Sequence, residues 1–117
     1  MTRLFVVIAV AAACKRGEPT TDELLAGAQD QTRRFFALAE GGDCAALAEL
    51  LPRPETCEGL VLQMRETKTH LTAIEGAKLD GRDRHLVLVN VTAQATKHTH
   101  RWIIHAKWTP GGWKVSL

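Results

Sequence analysis

Leu25, Ala28, Thr32, Phe35, Phe36 and Ala39 recur at three- and four-residue steps. That period puts them on one stripe of a helix. Thr20 and Glu23 have the spacing of a capping box, and Asp22 and Glu23 suit the positive end of the helix dipole. Gly41-Gly42 predicts its stop, since glycine adopts positive φ without steric cost. Asp43 is placed to cap a short second helix over 44–51, which Pro52 and Pro54 end. A third helix is predicted over 55–68, with Cys57, Leu60, Val61 and Met64 on one side and Gly59 weakening its first turn.

After His70 the period falls to two. Strands are predicted over 71–81, 84–97, 100–108 and 113–117, the second being rich in β-branched residues. Asp80-Gly81 and Pro110-Gly111-Gly112 mark connections short enough for antiparallel neighbours. Centring the middle turn on His98-Thr99 pairs Ala95 with Trp102, Ala93 with Ile104, Val91 with Ala106 and Val89 with Trp108, an apolar face. The opposite face pairs Thr96 with Arg101, Gln94 with Ile103, Thr92 with His105 and Asn90 with Lys107, and is mostly polar. A slip of one residue would mix the two sets. Around the last turn Trp108 faces Trp113. Helices first and strands after predict an α+β fold, with N-terminal helices packed on a curved antiparallel sheet of three to four strands.

The N-terminus follows another logic. Met1-Thr2-Arg3 gives a short positive end, and Leu4 to Ala13 is an unbroken apolar run of ten residues. A spanning helix needs about 20. The run matches the apolar region of a secretory signal, and Ala11-Ala12-Ala13 stands just before Cys14. Two processing readings stay open. The small residues suit ordinary secretion, and with Cys14 they resemble the bacterial lipobox, although Ala11 stands where leucine is commonest. Cysteine parity favours the second: lipid on Cys14 leaves Cys44 and Cys57 as an even pair. Residues 1–13 then form a lipoprotein signal peptide, 14–21 a lipidated cysteine and flexible tether, and 22–117 one domain. Each buried CH₂ of an acyl chain contributes about 0.8 kcal/mol, so several palmitate-like chains anchor firmly. Lys15 after the cysteine resembles the sorting signal for the outer membrane, which places the domain in the periplasm. There a disulfide between Cys44 and Cys57, 13 positions apart, is expected.

The chain has 117 residues and a net charge of +2, from 15 basic and 13 acidic side chains. This suits one globular domain, and with no block of basic residues nucleic acid is not an expected partner.

"TRRFFALAEGGDCAALAELL" and the closing "GGWKV" resemble the nuclear-transport-factor-like superfamily, which includes relatives of ketosteroid isomerase and many small bacterial lipoproteins. The likeness covers about 22–117 and implies a cone-shaped α+β fold whose sheet wraps a cavity. It also implies a possible homodimer through the outer face of the sheet. Such a fold hosts enzymes and non-enzymes alike.

Few residues suggest chemistry. Isomerases of this superfamily use an acidic base with tyrosine or acid donors; this chain has no tyrosine and no Asp or Glu on its two best strands. Glu75 on the first strand is the one carboxylate that could reach a pocket. His105 shares the polar face with Asn90, Thr92, Gln94, Arg101 and Lys107, and is the candidate general acid or base. His98 and His100 at the turn supply too few ligands for a zinc centre, so neither metal nor cofactor is expected. The favoured function is a membrane-tethered, non-catalytic module of the cell envelope. It would bind a partner protein or small ligand through the sheet face Asn90, Thr92, Gln94, Arg101 and His105. The alternative is a small enzyme that uses His105.

Overall fold

A computed structural model describes residues 17–117. The expected signal segment 1–13, the expected lipidation site Cys14 and Lys15 lie outside the described residues. The architecture is α+β, with helices packed on one four-stranded antiparallel sheet of order β1-β2-β3-β4. Its elements are α1 (Thr21–Gly41), α2 (Cys44–Leu47), two 3₁₀ turns (Ala48–Leu50 and Pro54–Thr56), α3 (Cys57–Thr67), β1 (His70–Leu79), β2 (Leu86–Gln94), β3 (Thr99–Thr109) and β4 (Gly112–Ser116).

The ends of α1 follow the caps written in the sequence. Glu23 N–H donates to Thr20 Oγ1 at 3.2 Å, and Thr20 N–H donates to Glu23 Oε1 at 2.8 Å. Each end of this box satisfies a backbone donor that the first helical turn leaves free. Gly42, at φ 73°, closes the helix in the left-handed region. Asp43 Oδ1 then accepts the N–H of Ala46 and starts α2. That helix is shorter than predicted: only Cys44–Leu47 is α-helical, and the rest tightens into a 3₁₀ turn before Pro52. The residues ahead of α3 likewise form a 3₁₀ turn led by Pro54.

The stripe of α1 buries Leu24, Ala28, Thr32, Phe35, Phe36 and Ala39, with Leu25 only half-buried beside it. Leu24 thus takes the place predicted for Leu25, because the stripe drifts around a straight helix with 3.6 residues per turn. Thr32 satisfies its buried hydroxyl by donating to Ala28 O at 2.8 Å. Phe35 and Phe36 meet edge to face at 5.4 Å, and Phe36 stacks on Trp102 of β3. Facing them are Val87, Val89, Val91 and Ala93 of β2, Ile104 and Ala106 of β3, and Val115 of β4, all buried. Leu47, Leu50, Leu51, Val61 and Met64 close the core from the side.

The faces of the central hairpin agree with the predicted alternation, but its pairing does not. Val91 pairs with Trp102, Val89 with Ile104, Val87 with Ala106, Thr92 with Arg101 and Gln94 with Thr99. The turn sits at Thr96-Lys97 rather than His98-Thr99, with Ala95 N–H donating to His98 O at 2.8 Å. Moving the turn by two residues moves every partner by four, an even number, so no side chain changes face. Two contacts hold the earlier turn. Gln94 Nε2 bridges the carbonyls of Ala95 and His98, and Thr96 donates its N–H and its hydroxyl to Thr67 O at the end of α3.

Trp108 does pair with Trp113, yet their rings part. Trp108 packs against His85 at 5.1 Å, while Trp113 lies against Gly27 of α1. Cys44 and Cys57, the first residues of α2 and α3, form a disulfide with a Cα–Cα distance of 5.9 Å.

Candidate functional site

Among the described residues, two concave regions stand out by size. The first is the polar outer face of the sheet. Here β1 departs twice from regular pairing, between Leu71 and Ala73 and between Ile74 and Gly76. The extra residues are Thr72 and Glu75, and such bulges re-aim side chains. Thr72 Oγ1 donates to Thr92 O at 2.9 Å, and Thr92 Oγ1 donates to Glu75 Oε2 at 2.8 Å. Glu75, Asn90, Arg101 and Ile103 surround a hollow of about 570 Å³ above the Val91–Trp102 pair. Asn90, Thr92 and Arg101 of the predicted face therefore come together. Glu75 joins them through a bulge that periodicity alone does not reveal.

Gln94 does not belong to this cluster. Its amide is engaged in the turn, and its Oε1 accepts Thr99 Oγ1–H at 2.7 Å. His105 lies apart as well. It is exposed, its ladder partners are Leu88 and Ser116, and it lines neither this hollow nor the groove described next. Lys107 pairs with Asp83 in the β1–β2 connection, at 2.9 Å.

The second region is a groove between α3 and the helix-covered side of the sheet. Its larger part is a cavity of about 790 Å³. Phe35, Leu51, Pro52, Leu60 and Leu117 supply apolar walls, and Arg53, Gln63 and Ser116 supply polar groups. Small-molecule sites fall in this size range and combine apolar walls with a few polar groups. Leu60, Gln63 and Leu117 are shared with an adjoining hollow of about 370 Å³ that reaches Thr67, His98, His100 and Trp102.

The 3₁₀ segment between the disulfide cysteines forms one rim of the cavity through Leu51, Pro52, Arg53, Glu55 and Thr56. Gly59 leaves space in the wall: a β-carbon there would meet nothing within 4 Å. His100 was predicted at a turn but sits inside β3, on the inner face. Its ring stacks on Trp102 at 5.1 Å and an interplanar angle of 10°. His98, 6.1 Å away, stands at the tip. The earlier turn is what moves His100 into the groove.

Among the described residues no group of three or more His, Cys, Asp or Glu side chains converges as a metal centre requires. One carboxyl departs clearly from its ordinary value. Asp83 is held low, first by the backbone N–H of His85 and then by Lys107. It lies in the β1–β2 connection, away from both concave regions. Among the described residues no helix is long and apolar enough to cross a membrane. Comparison with protein-family models, with the curated proteins and with the solved structures finds no match to this chain.

Proposed function

We propose that this chain is a non-catalytic, lipid-tethered module of the cell envelope that binds a small, largely apolar ligand. The groove beneath α3 is the site. The observation that carries this reading is the 790 Å³ cavity, whose apolar walls Phe35, Leu51, Pro52, Leu60 and Leu117 are met by the polar side chains of Arg53, Glu55, Thr56, Gln63 and Ser116. The expected ligand face on the outside of the sheet is polar, and its two farther members, Gln94 and His105, do not share its hollow. The groove is therefore the better site. Attachment through lipid on Cys14, the periplasmic location and kinship with nuclear-transport-factor-like proteins belong to the same proposal, on the residues quoted above. For acid–base chemistry, His105 would need a titratable partner within hydrogen-bond reach. Its ladder neighbours, Leu88 and Ser116, offer none near neutral pH.

The test is occupancy of the cavity. The apolar dye 1-anilinonaphthalene-8-sulfonate should bind the folded protein with increased fluorescence. Gly59→Phe, which projects a ring into open space, should weaken that binding about tenfold or more, equivalent to about 1.4 kcal/mol. Equal binding by a stably folded Gly59→Phe protein would refute the groove as the site. Mass spectrometry of the membrane-extracted protein tests the anchor, through the acylated N-terminal peptide beginning at Cys14.

A further inference from the structure

The described chain starts beside one end of the sheet, and the groove occupies the other half. Glu18 Oε1 accepts Arg84 Nη2–H at 3.2 Å and lies 3.4 Å from His85 Nε2. Both partners belong to the β1–β2 connection. His85 O accepts the N–H of Trp108 at 2.9 Å, which sets that connection beside the β3–β4 turn. The exposed Glu18–Arg84 pair alone would hold the chain only weakly. The core fixes its position independently, because α1 begins at Thr21 and packs Gly27 against Trp113. Cys14 precedes Glu18 by four positions, a reach of at most about 14 Å.

We infer that the β1–β2 connection and the β3–β4 turn form the bilayer-facing end of the domain. Arg82 and Arg84 there meet the phosphate headgroups of the membrane that holds the lipid on Cys14. This rests on the lipid-anchor reading given above. Arg82 and Arg84 are exposed, and Arg84 offers Glu18 only part of its five-donor guanidinium. Arg84 also pairs with Glu18, and Lys107 nearby pairs with Asp83. In sequence, Lys15 and Arg16 directly follow the lipidation position, and basic residues next to a lipid anchor suit an anionic surface.

The groove lies away from this end. Ser116, in its wall, pairs with His105, and its far part reaches His98 at the opposite hairpin. From Trp108 to His98 an extended strand covers about 33 Å. The domain therefore stands with its ligand site raised off the bilayer, and the ligand arrives from the aqueous phase.

The mature chain lipidated at Cys14, reconstituted in vesicles of phosphatidylethanolamine and phosphatidylglycerol, tests this. A fluorophore is attached through Gly81→Cys or Lys97→Cys, and a nitroxide quencher is placed on the lipid headgroups. Quenching should be strong at position 81 and weak at position 97. Equal quenching, or more at 97, overturns the orientation while leaving the anchor standing. Vesicle flotation reports the anchor separately: if the wild type fails to float with the vesicles, the anchor and the orientation fall together. The unlipidated Cys14→Ser chain should bind the same vesicles weakly. Replacing Arg82 and Arg84 together by Gln should weaken this about tenfold; unchanged binding overturns the role of the two arginines.

Discussion

Gly27 and Trp113 approach so closely that a β-carbon on Gly27 would lie 2.8 Å from Cζ2 of the indole. A glycine six residues into a long helix is otherwise unfavourable by about 1 kcal/mol relative to alanine. Here its missing side chain lets α1 lie flat on β4. Gly27→Ala gains the helical preference but drives a methyl into a ring held between helix and sheet, and overpacking of this kind costs about 1–3 kcal/mol. The expected net effect is a loss of about 1 kcal/mol, read as a lower urea midpoint with an unchanged slope. Trp113→Leu should make Gly27→Ala neutral or stabilising, because the obstructing ring is gone.

The Cys44–Cys57 disulfide closes a loop of 13 residues, and most of that loop is irregular or 3₁₀ in conformation. Cross-linking such a loop contributes about 3 kcal/mol in the chain-entropy model. Reduction by a dithiol, or the double replacement Cys44→Ala and Cys57→Ala, should lower stability by about that amount in thermal or urea unfolding. The same loop supplies Leu51, Pro52, Arg53, Glu55 and Thr56 of the cavity rim. Dye binding should therefore weaken on reduction even at temperatures where the fold persists, a comparison that separates loss of the rim from loss of the fold.

These relationships show what the chain's own pattern made legible. The helix caps, the parity of the strands and the Trp108–Trp113 pair rest on local spacing and appear at the residues the spacing indicated; the stripe of α1 does so except that Leu24 replaces Leu25, and the disulfide partners follow from cysteine parity. The hairpin turn was misplaced because His98-Thr99 and Thr96-Lys97 are equally polar. What separates them is tertiary: Thr67 O at the end of α3 captures Thr96. The groove was illegible for a related reason. Phe35 and Leu60 read as ordinary members of apolar helix faces, and only the assembled layers show that the core stops short between them and Leu117. Glu75 was legible as a carboxylate on β1, but its contact with Thr92 depends on a bulge beside Gly76, and a lone strand glycine does not say which way the neighbouring side chain turns.

Asp83 carries the pH dependence that the structure supports. The His85 N–H and Lys107 both favour its charged form and hold its folded value below the ordinary 3.8. A group whose value is lowered on folding stabilises the fold above its unfolded value, and that contribution disappears as pH falls through the folded value. Stability from this site should be constant from neutral pH down to about 4 and decline below it. In Asp83→Asn the acid-unfolding curve should lose this part of its slope, while stability at pH 7 drops slightly, as expected for a surface contact. Titration of the Asp83 carboxyl by carbon-detected NMR checks the direction directly.

Lys68 ends α3 in the left-handed region, at φ 55° and ψ 42°, and is the one non-glycine among the described residues with positive φ. Its N–H donates to Arg65 O at 3.3 Å and that of Thr69 to Met64 O at 3.0 Å, so the conformation closes the helix and aims the chain into β1. An L-residue with a β-carbon pays about 1–2 kcal/mol for this backbone. Lys68→Gly relieves that strain but adds freedom to the unfolded chain. The balance favours the variant by about 0.5–1 kcal/mol, visible as a raised melting temperature. Lys68→Val should move in the opposite direction by more, because a β-branched residue tolerates positive φ least. Since Lys68 is exposed, neither change disturbs the core, and the difference between the two variants isolates the backbone.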